Sequence, residues 1–133
     1  MKLQISQEHY DQIVEHARAE APIECCGIVS ASGEEAVKVY PATNTRASEF
    51  SFELDRQEQF KINSEIDSAG LDYGAIYHSH TRSEPKPSLT DIKYAKLWPD
   101  VLWIIVGLAG GEPEVRTWRI DDGAVREAEL VVK

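Results

Sequence analysis

The run Val101-Leu-Trp-Ile-Ile-Val-Gly-Leu108 limits the folds open to this chain more than any other stretch. It has no polar face. A strand of this kind needs cover on both sides, which places it inside a sheet with other layers against it. A second strand, Gly74 to His80, is apolar at Ala75-Ile76-Tyr77 and ends in His-Ser-His. The other elements interleave with these two. Ser6 caps a first helix with an apolar stripe of Tyr10, Ile13, Val14, Ala17 and Ala21, and Pro22 ends it.

Cys25 to Ala31 reads as a buried strand, Ser32-Gly33 as a turn, and Ala36 to Tyr40 as the returning strand of a hairpin. Phe50-Ser-Phe-Glu-Leu54 alternates strictly and predicts a third strand. Asp55 caps a second helix that ends at Gly70, with Phe60, Ile62, Ile66 and Ala69 as its apolar positions. A third helix is expected over Leu89 to Leu97, stopped by Pro99. Strands at Glu114 to Ile120 and Ala124 to Val132, joined by Asp121-Asp-Gly123, complete the chain. The predicted order, αβββαβαβββ, is too interleaved to split. Residues 1–133 are therefore expected to form one domain of the α/β class, in the α+β sense of a mixed sheet with helices packed on it.

A chain of 133 residues can bury one core without disulfide or metal staples. The formal charge of −9, with 14 basic residues scattered along the chain, argues against nucleic acid and against anionic membranes as partners. The N-terminus shows no apolar signal region, and the expected location is cytoplasmic. Cys25 and Cys26 are adjacent, about 3.8 Å apart at Cα across a trans peptide. That is shorter than the disulfide span of about 4.4 Å or more, so they are expected unbonded, facing opposite ways and packed in the core. His9 and His16 fall off or at the edge of the first helix's stripe and are expected on the solvated surface. Trp98, Trp103 and Trp118 read as core or edge packing.

Chemistry concentrates between Tyr77 and Asp91. Strand side chains alternate, so His78 and His80 share one face with Ser79 opposite. A loop stiffened by Pro85 and Pro87 leads to Ser88-Leu-Thr-Asp91. If it folds back, Asp91 adds a carboxylate to two imidazoles. Three such ligands with a fourth position for water is the arrangement of a catalytic zinc site. The same residues also spell a capping box, Ser88 at the N-cap and Asp91 at N3. A His-x-His pair alone is a weak signal.

The full spacing is far more demanding: His-Ser-His, seven residues, Ser, two residues, Asp. It resembles, at every defining position, the signature of the JAMM (MPN-plus) metallopeptidases. Upstream, Pro22-Ile-Glu24-Cys-Cys-Gly27 is similar to the element carrying that family's glutamate. Asn44, Ser48, Phe50, Tyr77, Thr81 and Arg119-Ile-Asp-Asp-Gly123 match the small prokaryotic members, most closely the Mec-like branch. The resemblance implies a JAMM/MPN sandwich, related in shape to the cytidine deaminases. It implies one Zn²⁺ held by His78, His80 and Asp91, Glu24 as general base and acid, and Ser88 as donor to the oxyanion. The implied reaction is hydrolysis of the C-terminal amide linkage of a ubiquitin-like or sulfur-carrier protein. In the nearest branch the released group is cysteine, a step of cysteine biosynthesis. The segments Asn44–Leu54 and Thr81–Pro87 are the expected walls of the substrate groove. Two rival classes are a non-catalytic MPN-type binding module and a zinc deaminase. Such modules typically lack the ligand set, and the deaminase needs a His-x-Glu and Pro-Cys-x-x-Cys that are missing here.

Overall fold

The computed structural model describes residues 2–133. In chain order it contains β1 (Lys2–Ile5), α1 (Gln7–Glu20), β2 (Cys26–Ser32), β3 (Glu35–Ala42), α2 (Arg56–Ser68), β4 (Asp72–His80), α3 (Leu89–Ala95), β5 (Leu102–Gly107), β6 (Glu114–Asp121) and β7 (Ala124–Val132). The strands are ordered β1-β3-β2-β4-β5-β6-β7, and β1 pairs with β7 to close the sheet into a barrel. The sheet is mixed: β1 runs parallel to β3 and β7, β4 runs parallel to β5, and the remaining pairs are antiparallel. Parallel neighbours need a crossover, and α3 lies on the one between β4 and β5.

Both caps expected at the helix starts form: Ser6 accepts from the His9 N–H at 3.1 Å and Asp55 from the Glu58 N–H at 2.9 Å. The second helix ends as expected, with Gly70 in the left-handed region at φ 71°. Every residue of β5 is buried, as its lack of a polar face requires.

Alternation along β4 divides the apolar interior into two clusters. On one side Ile76, Ile105 and Trp103 pack with Ile62 and Ile66 of α2 and Ala95 of α3. On the other, Ala75, Tyr77, Ile104 and Val106 pack with Ile13 and Ala17 of α1 and with Leu3 and Ile5 of β1. Cys26 belongs to the first cluster and Cys25 to the second, both unbonded and buried.

Three expectations need correction, and one element, β1, answers to none of them; its four residues find their partners at the far end of the chain, Leu3 opposite Leu130. Phe50–Leu54 is not a strand, although Phe52 and Leu54 are buried; its ladder is reduced to a single Asn44–Leu54 bridge. Phe60 points outward, 73% exposed, because Ile62 and Ile66 alone fill the α2 face of the core. His16 is not a free surface residue: its Nδ1 lies 2.7 Å from the Tyr77 hydroxyl. Among the described residues no helix is long and apolar enough to cross a membrane.

Candidate metal centre

The last residues of β4 and the first turn of α3 meet at the end of the parallel β4–β5 pair, where the strands' carboxyl ends open a crevice. His78 and His80 point to the α3 side and are buried, as is Asp91. The three are the only His/Cys/Asp/Glu cluster among the described residues whose ligand atoms converge. His78 Nε2 and His80 Nε2 are 3.2 Å apart, and Asp91 Oδ2 lies 3.1 Å from the first and 3.0 Å from the second. A tetrahedral zinc ion with bonds of about 2.0–2.1 Å sets its ligand atoms about 3.3 Å apart. The triangle comes within a few tenths of an ångström of that size.

The electronic state of His80 fits as well, whereas His78 Nδ1 is buried with no partner among the described residues. His80 Nδ1 is 2.7 Å from the Glu84 carbonyl, which can only accept. Nδ1 therefore carries the proton and a neutral His80 presents its Nε2 lone pair to the other two ligand atoms, as a metal-binding histidine must. Burial works against charging His80, but the Asp91 carboxylate and the Glu84 carbonyl overcome it and raise its pKa. Burial likewise works to raise Asp91, and His78, His80 and the Ser88 N–H outweigh it, holding the carboxyl well below its ordinary range. The pocket thus calls for positive charge, supplied either by a proton on imidazole or by a metal cation. The donor set is compatible with a metal site.

The capping box is also present, on the same atoms. Ser88 Oγ accepts from the Asp91 N–H at 3.0 Å, and Asp91 Oδ2 accepts from the Ser88 N–H at 3.0 Å. Capping fixes the Asp91 rotamer, so the helix start orients the carboxylate. The Ser88 hydroxyl, acting there as an acceptor, keeps its own proton free to donate.

Glu24 sits between α1 and β2, only 3% exposed. Its backbone is held on both sides: its N–H donates to the Ser48 carbonyl at 2.9 Å and its carbonyl accepts from Asn44 Nδ2 at 3.0 Å. Thr81 Oγ1 donates to the Pro22 carbonyl at 3.0 Å, tying this segment to the residue after β4. The side chain has no such support. Glu24 Oε1 is buried without a hydrogen-bond partner among the described residues. Burial pushes the carboxyl up to about 8; the charge on His80 lowers it and that on Asp91 raises it. A carboxyl so placed, beside a cluster of converging ligand atoms, is a candidate functional group.

Ser79, on the opposite side of β4, accepts from the Cys25 N–H at 2.8 Å. Three supports are not visible in residue spacing. Phe52 stacks on His78, ring centroids 4.5 Å apart, and Trp103 meets the same imidazole edge-on. Glu84 acts through its backbone, which no side-chain pattern can signal. A surface cavity of about 410 Å³ begins at Phe52, walled by Arg46 and Glu53 on one side and Thr90, Tyr94 and Leu97 of the α3 region on the other. Of the two expected walls, the 44–54 segment contributes Arg46, Phe52 and Glu53 to this cavity, and none of Thr81–Pro87 lines it.

A closed mixed sheet with this crossover, carrying a His-His-Asp cluster at the start of the crossover helix, defines a JAB/MPN-type domain. The family model described as prokaryotic homologs of the JAB domain matches residues 6–121, and the chain belongs to that family. It is 36% identical over 118 residues to the CysO-cysteine peptidase of Mycobacterium tuberculosis, covering 86% of this chain and 80% of that protein. It is 32% identical to the desampylase of Haloferax volcanii, covering 99% and 97%. A solution structure of a Desulfitobacterium hafniense protein superposes with a TM-score of 0.84 at 26% identity, covering 100% of this chain and 93% of that one. A JAB1/MPN domain protein from Archaeoglobus fulgidus shares the fold at a TM-score of 0.64 and 19% identity, covering 97% and 99%.

Proposed function

We propose that this protein is a single-domain JAMM-type zinc peptidase that hydrolyses the C-terminal amide or isopeptide linkage of a ubiquitin-like or sulfur-carrier protein. The observation that carries this reading is the convergence of three ligand atoms beside a buried, unpartnered carboxyl whose backbone is fixed from both sides. The relatives support the substrate class, one being a CysO-cysteine peptidase and the other a desampylase.

His78, His80 and Asp91 would hold the zinc. When bound, Zn²⁺ lowers the pKa of a water to about 7 and polarises the scissile carbonyl. Glu24 takes a proton from the attacking water and returns it to the leaving amine; a carboxyl tuned toward neutrality suits both transfers. Ser88 donates its hydroxyl proton to the developing oxyanion while its oxygen still caps α3. The side chains around Phe52 exclude water from the His78 side of the cluster.

The test joins metal analysis to mass-resolved hydrolysis. Wild type should hold about one zinc per chain and release cysteine from a sulfur-carrier–cysteine adduct, or a lysine amine from an isopeptide-linked carrier, with chelator stopping the reaction. His78→Ala and Asp91→Ala should lose both metal and turnover. Undiminished zinc in both variants would remove the ligand assignment, and hydrolysis that survives complete metal removal would remove the mechanism.

A further inference from the structure

Two residues far from the cluster in sequence meet at one point of the loop that leads from β4 to α3. The Trp118 indole N–H, on β6, donates to the Pro85 carbonyl at 2.8 Å in a buried contact. From β5, Gly107 lies against the Pro85 ring: a Cβ there would stand 2.7 Å from Pro85 Cδ, closer than carbon atoms pack. Pro85 is the one buried residue of 81–87. Its neighbour Glu84 has an exposed side chain yet gives its carbonyl to His80 Nδ1. The Glu84 and Pro85 carbonyls belong to successive peptide units, and the proline ring fixes the φ angle between them near −65°. The Lys86 N–H donates to the Glu84 carbonyl at 2.8 Å and closes the turn over Pro85, so holding the Pro85 carbonyl aims the Glu84 carbonyl with it. The indole itself is steadied by the Arg116 guanidinium, 4.7 Å from the ring centre and paired to Glu127 at 2.9 Å.

A partner for a buried indole N–H is not obligatory in this protein. Trp103 Nε1 is buried with none among the described residues. The Trp118 N–H is satisfied, and its acceptor belongs to the loop that carries the Glu84 carbonyl. We propose that Trp118 is a positioning residue of the metal centre: by anchoring Pro85 it keeps the Glu84 carbonyl on His80 Nδ1, and so keeps the His80 Nε2 lone pair aimed at the metal position. Gly107 is the other half of the device, leaving the space in which Pro85 seats. This rests on the reading of the cluster as a metal centre, and the test separates the two.

Zinc affinities would be measured by chelator competition for wild type, Trp118→Phe, Gly107→Ala and, as a control, Trp98→Phe. Trp98 is half-buried against Tyr73, on the α2 and α3 side. Phenylalanine at 118 removes the donor and keeps an aromatic ring; alanine at 107 displaces Pro85 without touching Trp118. Groups that orient metal-ligating histidines are worth about 10- to 100-fold in metal affinity. Both variants should therefore weaken zinc by about tenfold or more, while Trp98→Phe stays within about twofold. In zinc-loaded wild type the His80 Nδ1 proton should appear in NMR spectra as a protected ring N–H, and it should be lost to exchange in both variants. A folded Trp118→Phe protein with wild-type zinc affinity and an unchanged His80 proton would overturn the proposal. Should that variant fail to fold, wild-type affinity in Gly107→Ala overturns it instead. A wild type that binds no zinc removes the metal-centre reading itself, a result distinct from either.

Discussion

On the α1 side of β4, Ser79 Oγ accepts from the Cys25 N–H and the Tyr77 hydroxyl meets His16 Nδ1, each at a single partner of 2.7–2.8 Å. On the α3 side of the same strand, two imidazoles and a carboxylate crowd within 3.2 Å of one another, and the Glu24 Oε1 nearby has no partner. Both sides are buried and both are polar. On the first side these two pairs are satisfied, although Thr117 Oγ1, on the face that Ile104 shares, has no partner among the described residues. On the other, three ligand atoms converge beside an unpartnered carboxylate oxygen, an arrangement that a bound cation would relieve. The cysteines extend the contrast. Each faces a different side, and burial raises both thiols, Cys25 up to about 12 and Cys26 further still, so neither is a nucleophile at neutral pH. Convergence of ligand atoms, not burial of polar atoms as such, distinguishes the two faces.

The sharpest way to break this contrast is Glu24→Gln, which keeps the shape and removes the titrating group. Turnover should fall by about 10²–10⁴-fold with zinc retained. A second effect has a definite sign in the metal-free protein. The folded carboxyl titrates at about 8 against an ordinary 4.5, so the native state binds this proton more tightly than the unfolded chain. Stability from the neutral acid is full below pH 4.5 and lost as pH rises through about 8. Urea denaturation in chelator should therefore show Glu24→Gln gaining on wild type between pH 5 and 8, by on the order of 4 kcal/mol at the upper end. Parallel stability profiles would mean that the carboxyl pays no burial penalty, and the contrast would fail at its clearest residue.

Ser88 belongs to both kinds of region at once, since its oxygen is satisfied as a cap and its proton is free. Loss of a cap costs about 0.5–2 kcal/mol of stability. Loss of an oxyanion donor costs about a hundredfold or more in kcat. Ser88→Ala is expected to stay folded, bind zinc, and show the kinetic loss with KM little changed. Ser88→Thr restores a capping oxygen, but its methyl displaces the donor, so it should recover stability better than activity. A variant that melts several degrees lower yet turns over at the wild-type rate would assign Ser88 to the satisfied class.

Much of this was legible in the sequence because local chemistry repeated the global answer. The apolar run around Ile104 could only be interior, and the His78–Ser79–His80 alternation puts both imidazoles on one face of the strand. Capping drew Asp91 to the right place by a purely local rule, Ser88 to N3. The failures lie where side chains substitute for backbone or where partners are distant. Phe50–Leu54 alternates like a strand, but Asn44 occupies its hydrogen bonds, donating Nδ2 to the Ser51 carbonyl and accepting from the Glu53 N–H. A side chain stands where a neighbouring strand would be, and no pattern of apolar residues reveals that. β1 is too short for periodicity and depends on β7, so only closure of the sheet explains it. Glu84 and Trp118 act through a carbonyl and an indole N–H, which spacing does not encode.

The α1 side of β4 offers the smallest effects and the cleanest control. Ser79→Ala leaves the buried Cys25 N–H without its acceptor and should cost about 1–3 kcal/mol of stability while zinc affinity stays at the wild-type value. The His16–Tyr77 pair adds a pH dependence. Burial lowers the His16 pKa, with the nearby Glu20 charge opposing it. The Nδ1–hydroxyl contact can form with either partner donating, so the pH dependence comes from burying a charged imidazole, and the neutral ring is the form that stabilises the fold. Because the folded pKa lies below the unfolded value near 6.5, this contribution is present above that pH and lost as pH falls through the folded pKa. Tyr77 is confined to this geometry by Gly27, whose missing Cβ leaves room for the ring, so the hydroxyl has little freedom to seek another acceptor. His16→Asn should therefore flatten the stability profile between pH 7 and 5 by about 1 kcal/mol or less, and Tyr77→Phe should do so in part. Neither should alter zinc binding or kcat beyond what stability explains. If wild type and His16→Asn lose stability in parallel on acidification, the pair carries no acid sensitivity. If either variant weakens zinc tenfold, the two sides of β4 are not independent and the contrast between them must be redrawn.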